Sequence, residues 1–205
     1  ANRAGAEAAM PEVAAVELTT TSITLHLANP TELPEPWSGT EDHLHWTIPA
    51  DCSADDVGPE TPDQPAPYPL LVTIGLDEAD HTWLLNLESN VVTVTGERTF
   101  AQDLIRHVAL EASCTPWSGN VEITAIGAAT ELAGLGPERI TIHDGDDRAD
   151  AIGEHVAHAV NVIDHSNELG TDANTARAHQ LGEDAWPARL LIVADDTADR
   201  DDSDE

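Results

Sequence analysis

A chain of 205 residues with eight basic and 39 acidic side chains carries a formal charge of −31, which repels nucleic acid and anionic membrane surfaces along most of the molecule. It contains no lysine, so lysine-dependent phosphate clamps, Schiff bases and general bases are excluded. Its length suits one substantial core, its two cysteines are too few and too separated for a disulfide framework or zinc cluster, and no apolar run approaches the ~18 residues a bilayer span needs.

In chain order, the alanine-rich start, ANRAGAEAAMPE, favours a short helix ended by Pro11. Val13–Leu18 and Ser22–Ala28 alternate apolar and polar residues around Thr19–Thr21, the pattern of a β-hairpin with one buried face. A proline-rich loop over Asn29–Thr40 precedes a third short strand at His43–Ile48. Ala50–Pro69, with five prolines and four aspartates, reads as an irregular crossing or linker. LLVTIGL from Leu70 and TWLLNL from Thr82 flank an acidic turn at Asp77–Asp80 and form a second predicted hairpin.

Val91–Thr95 is β-branched and predicted as a strand feeding a helix over Phe100–Ala112, with Leu104, Ile105, Val108 and Ala109 on its core face. Val121–Ile126 and Ile140–Ile142 read as strands with a short helix at Ala128–Leu132 between them. After His143 a long helix is predicted whose apolar stripe, Ile152, Val156, Ala159, Val160 and Ile163, faces the core, with a break at Gly170. Arg189–Ala194 closes the series as an apolar strand of the kind buried inside a parallel sheet. Alternating strands and helices from Val91 to Ala194 imply right-handed crossovers and a three-layer core.

The strand, turn and helix around Gly96 occupy the place of a phosphate-binding loop. Gly, Lys and Ser/Thr would be needed at 101–103, where the chain has Ala101, Gln102 and Asp103. Residual anion binding at the helix start is favoured by Arg98 and opposed by Glu97. Two histidine groups have partial metal-ligand spacing: Glu154 and His158 with His155 on the long helix, and His43 with His45 on a strand beside Glu41 and Asp42. Neither supplies three ligands from one element, and solvated surface histidines account for both. No nucleophile elbow is present, and Asp144, Asp146 and Asp147 in HDGDD do not keep calcium-loop spacing but suit a helix N-terminus. Cys52 and Cys114 are expected as free thiols in a reducing compartment. The five tryptophans suit the edges of a core, with a partner-protein surface as the functional alternative. No catalytic, cofactor-binding or metal residue is assigned.

VAAVELTTTSITLHLANP, PLLVTIGLDEADHTWLLNLE, VVTVTG, LEASCTPWSGNVEITAIG and DAWPARLLIVAD together carry a resemblance. The chain resembles the cytoplasmic region of large actinobacterial membrane proteins that carry a LysM domain and a bacterial transcriptional activator (BTAD-type) domain. Its middle is similar to FtsK-type P-loop ATPases, from which it departs by lacking Gly-Lys-Ser. The resemblance implies a soluble region between a membrane helix and a helical regulatory domain, and no site residue is carried over from it. The start at Ala1, without methionine or signal peptide, fits an excised piece of a longer protein.

The sequence thus predicts an α/β fold: a three-layer, mostly parallel sheet of degenerate P-loop or Rossmann-like type with an N-terminal β-hairpin extension. It forms a single domain over 1–194, divisible into a β subdomain (1–50), a linker (50–69) and an α/β core (70–194), followed by an acidic disordered tail at 195–205. The expected role is a non-catalytic regulatory or protein-interaction module of a membrane-anchored signalling protein, facing the cytoplasm. It takes no cofactor and meets a protein partner or adjacent domains of its own chain, not nucleic acid or membrane. The alternatives are a nucleotide-binding sensor without hydrolysis and a metal-dependent enzyme.

Overall fold

A computed structural model describes residues 9–58, 65–88, 90–134, 139–143, 145–181 and 186–194. The predicted first hairpin forms between β1 (Val13–Leu18) and β2 (Ser22–Leu27). Its turn is closed by Thr19, whose hydroxyl accepts from the amides of Thr21 (3.1 Å) and Ser22 (2.9 Å). β2 pairs with β4 (His45–Pro49), and β4 with the two-residue β3 (Ser38–Gly39). The second hairpin, β5 (Leu71–Leu76) and β6 (Thr82–Asn86), joins the same sheet through β6 and β1. The result is a six-stranded antiparallel sheet in the order β3-β4-β2-β1-β6-β5.

Cross-strand register gives this sheet two unlike faces, because partners opposite one another share a side. Trp46, Leu25, Val16 and Leu84 fall in one row across β4, β2, β1 and β6, and form a core with Val13 and Leu27. Thr47, Thr24, Glu17 and Trp83 form the neighbouring row, which points to the opposite face.

The second half is a three-stranded parallel sheet, β8-β7-β9, with β7 (Val121–Ile126) between β8 (Ile140–His143) and β9 (Ala188–Val193). Helix α2 (Arg98–Cys114) lies against both sheets. Its Ala109 and Ala112 have no side chain beyond Cβ, so the backbone approaches closely a core that also takes Leu70 and Val72 from the large sheet and Val121, Ile123 and Ala125 from the small one. Burying Ile123 or Val72 contributes about 1.5–3 kcal/mol each by apolar transfer. Among the described residues the other α-helices are the short α1 (Ala54–Val57), α3 (Arg148–Leu169), ended by Gly170 at φ 70°, and α4 (Ala173–Ala178).

The outward edge of β5 is satisfied by side chains. The Thr73 amide donates to Glu111 Oε2 at 3.0 Å, the Thr73 carbonyl lies 3.0 Å from His107 Nε2, and Trp117 Nε1 donates to the Leu71 carbonyl at 3.0 Å. Glu111 also takes the Thr73 hydroxyl.

Several expectations are corrected. The sheet is not mostly parallel: the larger sheet is antiparallel, and the first hairpin is its centre rather than an extension. β5 and β6 complete that sheet, which therefore continues across the segment at 50–69. Among the described residues Val91–Thr95 pairs with no strand. Asn90 Nδ2 donates to the carbonyls of Asn86 and Glu88, turning the chain as it leaves β6, and Val91 is left 98 % exposed. β9 is an edge strand, not an inner one. The predicted helix near the N-terminus falls chiefly on residues 1–8, and the tail on 195–205; both lie outside the described residues.

Candidate functional site

The turn at Gly96 leads into α2. Gly96 takes φ 122°, a conformation open to glycine, and Glu97 then caps α2. Its carboxylate accepts from the amides of Thr99 and Phe100, both at 3.2 Å. These are the first-turn donors that would hold an anion, so the chain's own carboxylate occupies that position. The bonds hold the Glu97 carboxyl below its ordinary pKa, the Thr99 amide contributing most.

Helix α3 turns most of the expected apolar stripe outward, only Ile152 staying half-buried. Ala151, His155, His158, His165 and Ser166 turn inward, while Val156, Val160 and Ile163 are 53, 49 and 58 % exposed. Inward, His165 stacks on the buried Trp186 with ring centroids 5.1 Å apart. His155 and His158 lie near Arg189, which pairs with Glu122 across β9 and β7 at 2.7 Å. Burial first and the Arg189 charge second lower the pKa of both imidazoles. A guanidinium here disfavours a cation, and among the described residues the donors of His155, His158 and Glu154 do not converge on one point. Outward, Val156, Val160 and Ile163 repeat at helical spacing and make one stripe, followed along one side by the exposed Asp150, Asp164 and Glu168.

A cavity of about 390 Å³ opens between the start of β1, the chain after β2 and the start of α4. Its lining is polar, and its carboxylates are engaged in structure. Glu12 accepts from Asn29, Asp172 caps α4 through the Thr175 amide at 2.9 Å, and Glu88 binds Arg177. The buried Asn86 donates to the Val13 carbonyl at 2.9 Å.

The second predicted histidine pair is also separated. His43, at φ 55°, packs on Trp46, whereas His45 meets His26 edge-on at 4.9 Å between ring centroids. The tryptophans anchor the fold through their indole N–H groups, Trp46 to His43, Trp83 to Asp77, Trp117 to Leu71 and Trp186 to Leu181. Cys52 and Cys114 are free thiols. Acids 146 and 147 lie in a short 3₁₀ turn leading into α3, with Asp147 at its N-cap. The structure instead brings together Glu17, Asp77 and His81, which no spacing in one element had marked. The available signal was Asp77 and His81 at the two ends of a tight hairpin turn, with a carboxylate on the polar face of β1. No protein-family model, curated protein or solved structure matches the chain.

Proposed function

We propose that this chain is a non-catalytic protein-interaction module that docks an amphipathic helix on the outward face of α3. The exposed stripe of Val156, Val160 and Ile163 carries this reading: three aliphatic side chains in one line on a surface helix cost hydration unless something covers them. The acids beside the stripe and the −31 charge of the chain select the occupant, a helix whose apolar face is flanked by arginine or lysine. A second copy of this acidic chain is the poorer occupant, since the two bodies repel. The occupant fits an adjacent helical domain of a larger, membrane-anchored regulatory protein, as the LysM and BTAD resemblance suggests. A cytoplasmic setting belongs to the same proposal; among the described residues no helix is long and apolar enough to cross a membrane. We read α2, α3 and the parallel strands as a degenerate P-loop-like or Rossmann-like core put to this use. The Glu97 cap is the reason a nucleotide sensor is the weaker reading.

The test is hydrogen exchange on the full chain during titration with two synthetic peptides. One is a leucine-striped helix with arginine flanks, and the other keeps the arginines but has serine for leucine. Saturable protection of α3 by the first peptide alone, abolished in Val156→Asp/Val160→Asp, supports the docking face. Equal protection by both peptides, or binding undiminished in the variant, rejects it.

A further inference from the structure

The polar face of the large sheet carries a cluster unrelated to α3. Glu17 projects from β1 opposite Trp83 of β6, and the β5–β6 hairpin turn folds Asp77 and His81 over it. His81 Nδ1 lies 2.7 Å from Glu17 Oε1 and 3.4 Å from Asp77 Oδ2. One donor atom from each of Glu17, Asp77 and His81 falls within 4.8 Å of the others. On the neighbouring strand, His26 Nε2 lies 3.7 Å from Glu17 Oε2, buried from solvent and without a hydrogen-bond partner.

We propose that Glu17, Asp77 and His81 bind a divalent transition-metal ion of the zinc class, with His26 beside the site at Glu17. One imidazole nitrogen and two carboxylate oxygens, with a fourth position left for water, suit zinc or cobalt(II) better than magnesium or calcium, which take more oxygen ligands. Four donors about 2.0–2.1 Å from a tetrahedral ion stand about 3.3 Å apart, near the 3.4 Å between Asp77 Oδ2 and His81 Nδ1. The His81–Glu17 pair is closer because a hydrogen bond joins the two atoms, and an ion bound there takes the place of that hydrogen, which moves to the other ring nitrogen or to solvent.

The surroundings orient the donors. Asp77 Oδ1 accepts from the amides of Ala79 (2.8 Å) and His81 (3.0 Å), fixing the turn, while Trp83 Nε1 donates to Oδ2 at 3.1 Å and leaves that oxygen a second lone pair. His45 stands edge-on against His26, and Trp83 lies across it with ring centroids 5.0 Å apart. The His26 nitrogen is shielded from solvent and faces Glu17, so that carboxylate is approached by imidazoles at both of its oxygens.

The test is zinc competition against a chromophoric chelator, using the full chain in high salt with excess magnesium to occupy diffuse carboxylate sites. One saturable equivalent is expected, with at least about tenfold weaker binding in Glu17→Gln and in His81→Ala, a smaller loss in His26→Ala, and none in His155→Ala/His158→Ala. Cobalt(II) should give the visible absorption of a four-coordinate site. Circular dichroism checks each fold. Should His81→Ala fail to fold, His81→Gln keeps a hydrogen bond to Glu17 without an imidazole lone pair and is read in its place. Absence of a saturable equivalent, retention of it in Glu17→Gln and the His81 variant, or its loss in the α3 control overturns the assignment.

Discussion

Arg177 on α4 holds Glu88 in a two-pronged ion pair, Nη1 3.0 Å from Oε2 and Nη2 2.5 Å from Oε1, with the arginine side chain only 2 % exposed. The same guanidinium donates to the carbonyls of Trp186 (Nε, 2.9 Å) and Pro67 (Nη1, 3.3 Å). One side chain therefore ties α4 to the end of β6, the approach to β5 and the entry to β9. Glu88→Ala leaves that charge buried and unpaired, and should lower unfolding stability by about 3–5 kcal/mol in urea titrations. Arg177→Met in the Glu88→Ala background should recover part of the loss, because the stranded charge is gone.

Gly39 is set by its neighbour rather than by its own backbone. An added Cβ would stand 2.7–2.8 Å from ring carbons of Trp46, its partner across β3 and β4. Gly39→Ala must displace a buried indole and should cost about 1–3 kcal/mol, accompanied by a shift in tryptophan emission. Relief of that cost in Gly39→Ala/Trp46→Phe would identify the ring as the obstacle.

Glu97→Ala removes the cap of α2 and should destabilise by about 1 kcal/mol, with Glu97→Ser close to wild type. Thermal-shift titration of the wild-type chain with ATP and magnesium should stay flat, since the amides that would receive a phosphate already hold Glu97.

Acid should weaken the α3 packing through His155 and His158. Their pKa values are lowered in the fold, so below the ordinary 6.5 the unfolded chain takes up protons that the folded chain resists. Stability is fully present above pH 6.5 and is lost as pH falls toward the folded values. Arg189 on β9 reinforces the shift at both sites, while the Pro187 carbonyl and Glu122 oppose it at His158. His26 acts in the same direction. Easing of the −31 self-repulsion works the other way, so the measurement is a comparison. The melting temperature of His155→Gln/His158→Gln should fall less than that of wild type between pH 7.5 and pH 5.5.

Val156→Ser/Val160→Ser/Ile163→Ser should leave stability within about 0.5 kcal/mol of wild type, since these side chains reach outward from α3. A larger loss in denaturant titration would show that the stripe contributes to the chain's own core.

The first hairpin was readable in the sequence because alternation is local, a residue and its second neighbour deciding which face is wet, and the second because two apolar runs flank an acidic turn. β7 was readable to its end residues for the same reason. Val91–Thr95 misled because β-branched residues favour an extended backbone, whereas a strand also needs a free edge supplied by distant residues. The α3 stripe misled differently. Periodicity reports that a helix has an apolar side, and in this fold histidines and alanine took the inward position, with His165 stacked on Trp186. Glu17 and His81 are 64 residues apart and meet only because β1 pairs with β6, a register no single segment encodes.

The side chains laid along β5 bear on how this protein fails. At one border of the large sheet the outward groups of Leu71 and Thr73 are occupied, and at the other β3 offers only two residues. Another polypeptide can pair with β5 at Leu71 and Thr73 only after Glu111, His107 and Trp117 let go. Fibril nucleation from that border is then tied to the opening rate of α2 and its following turn, so the lag before aggregation reports the kinetics of one helix rather than the concentration of native protein alone.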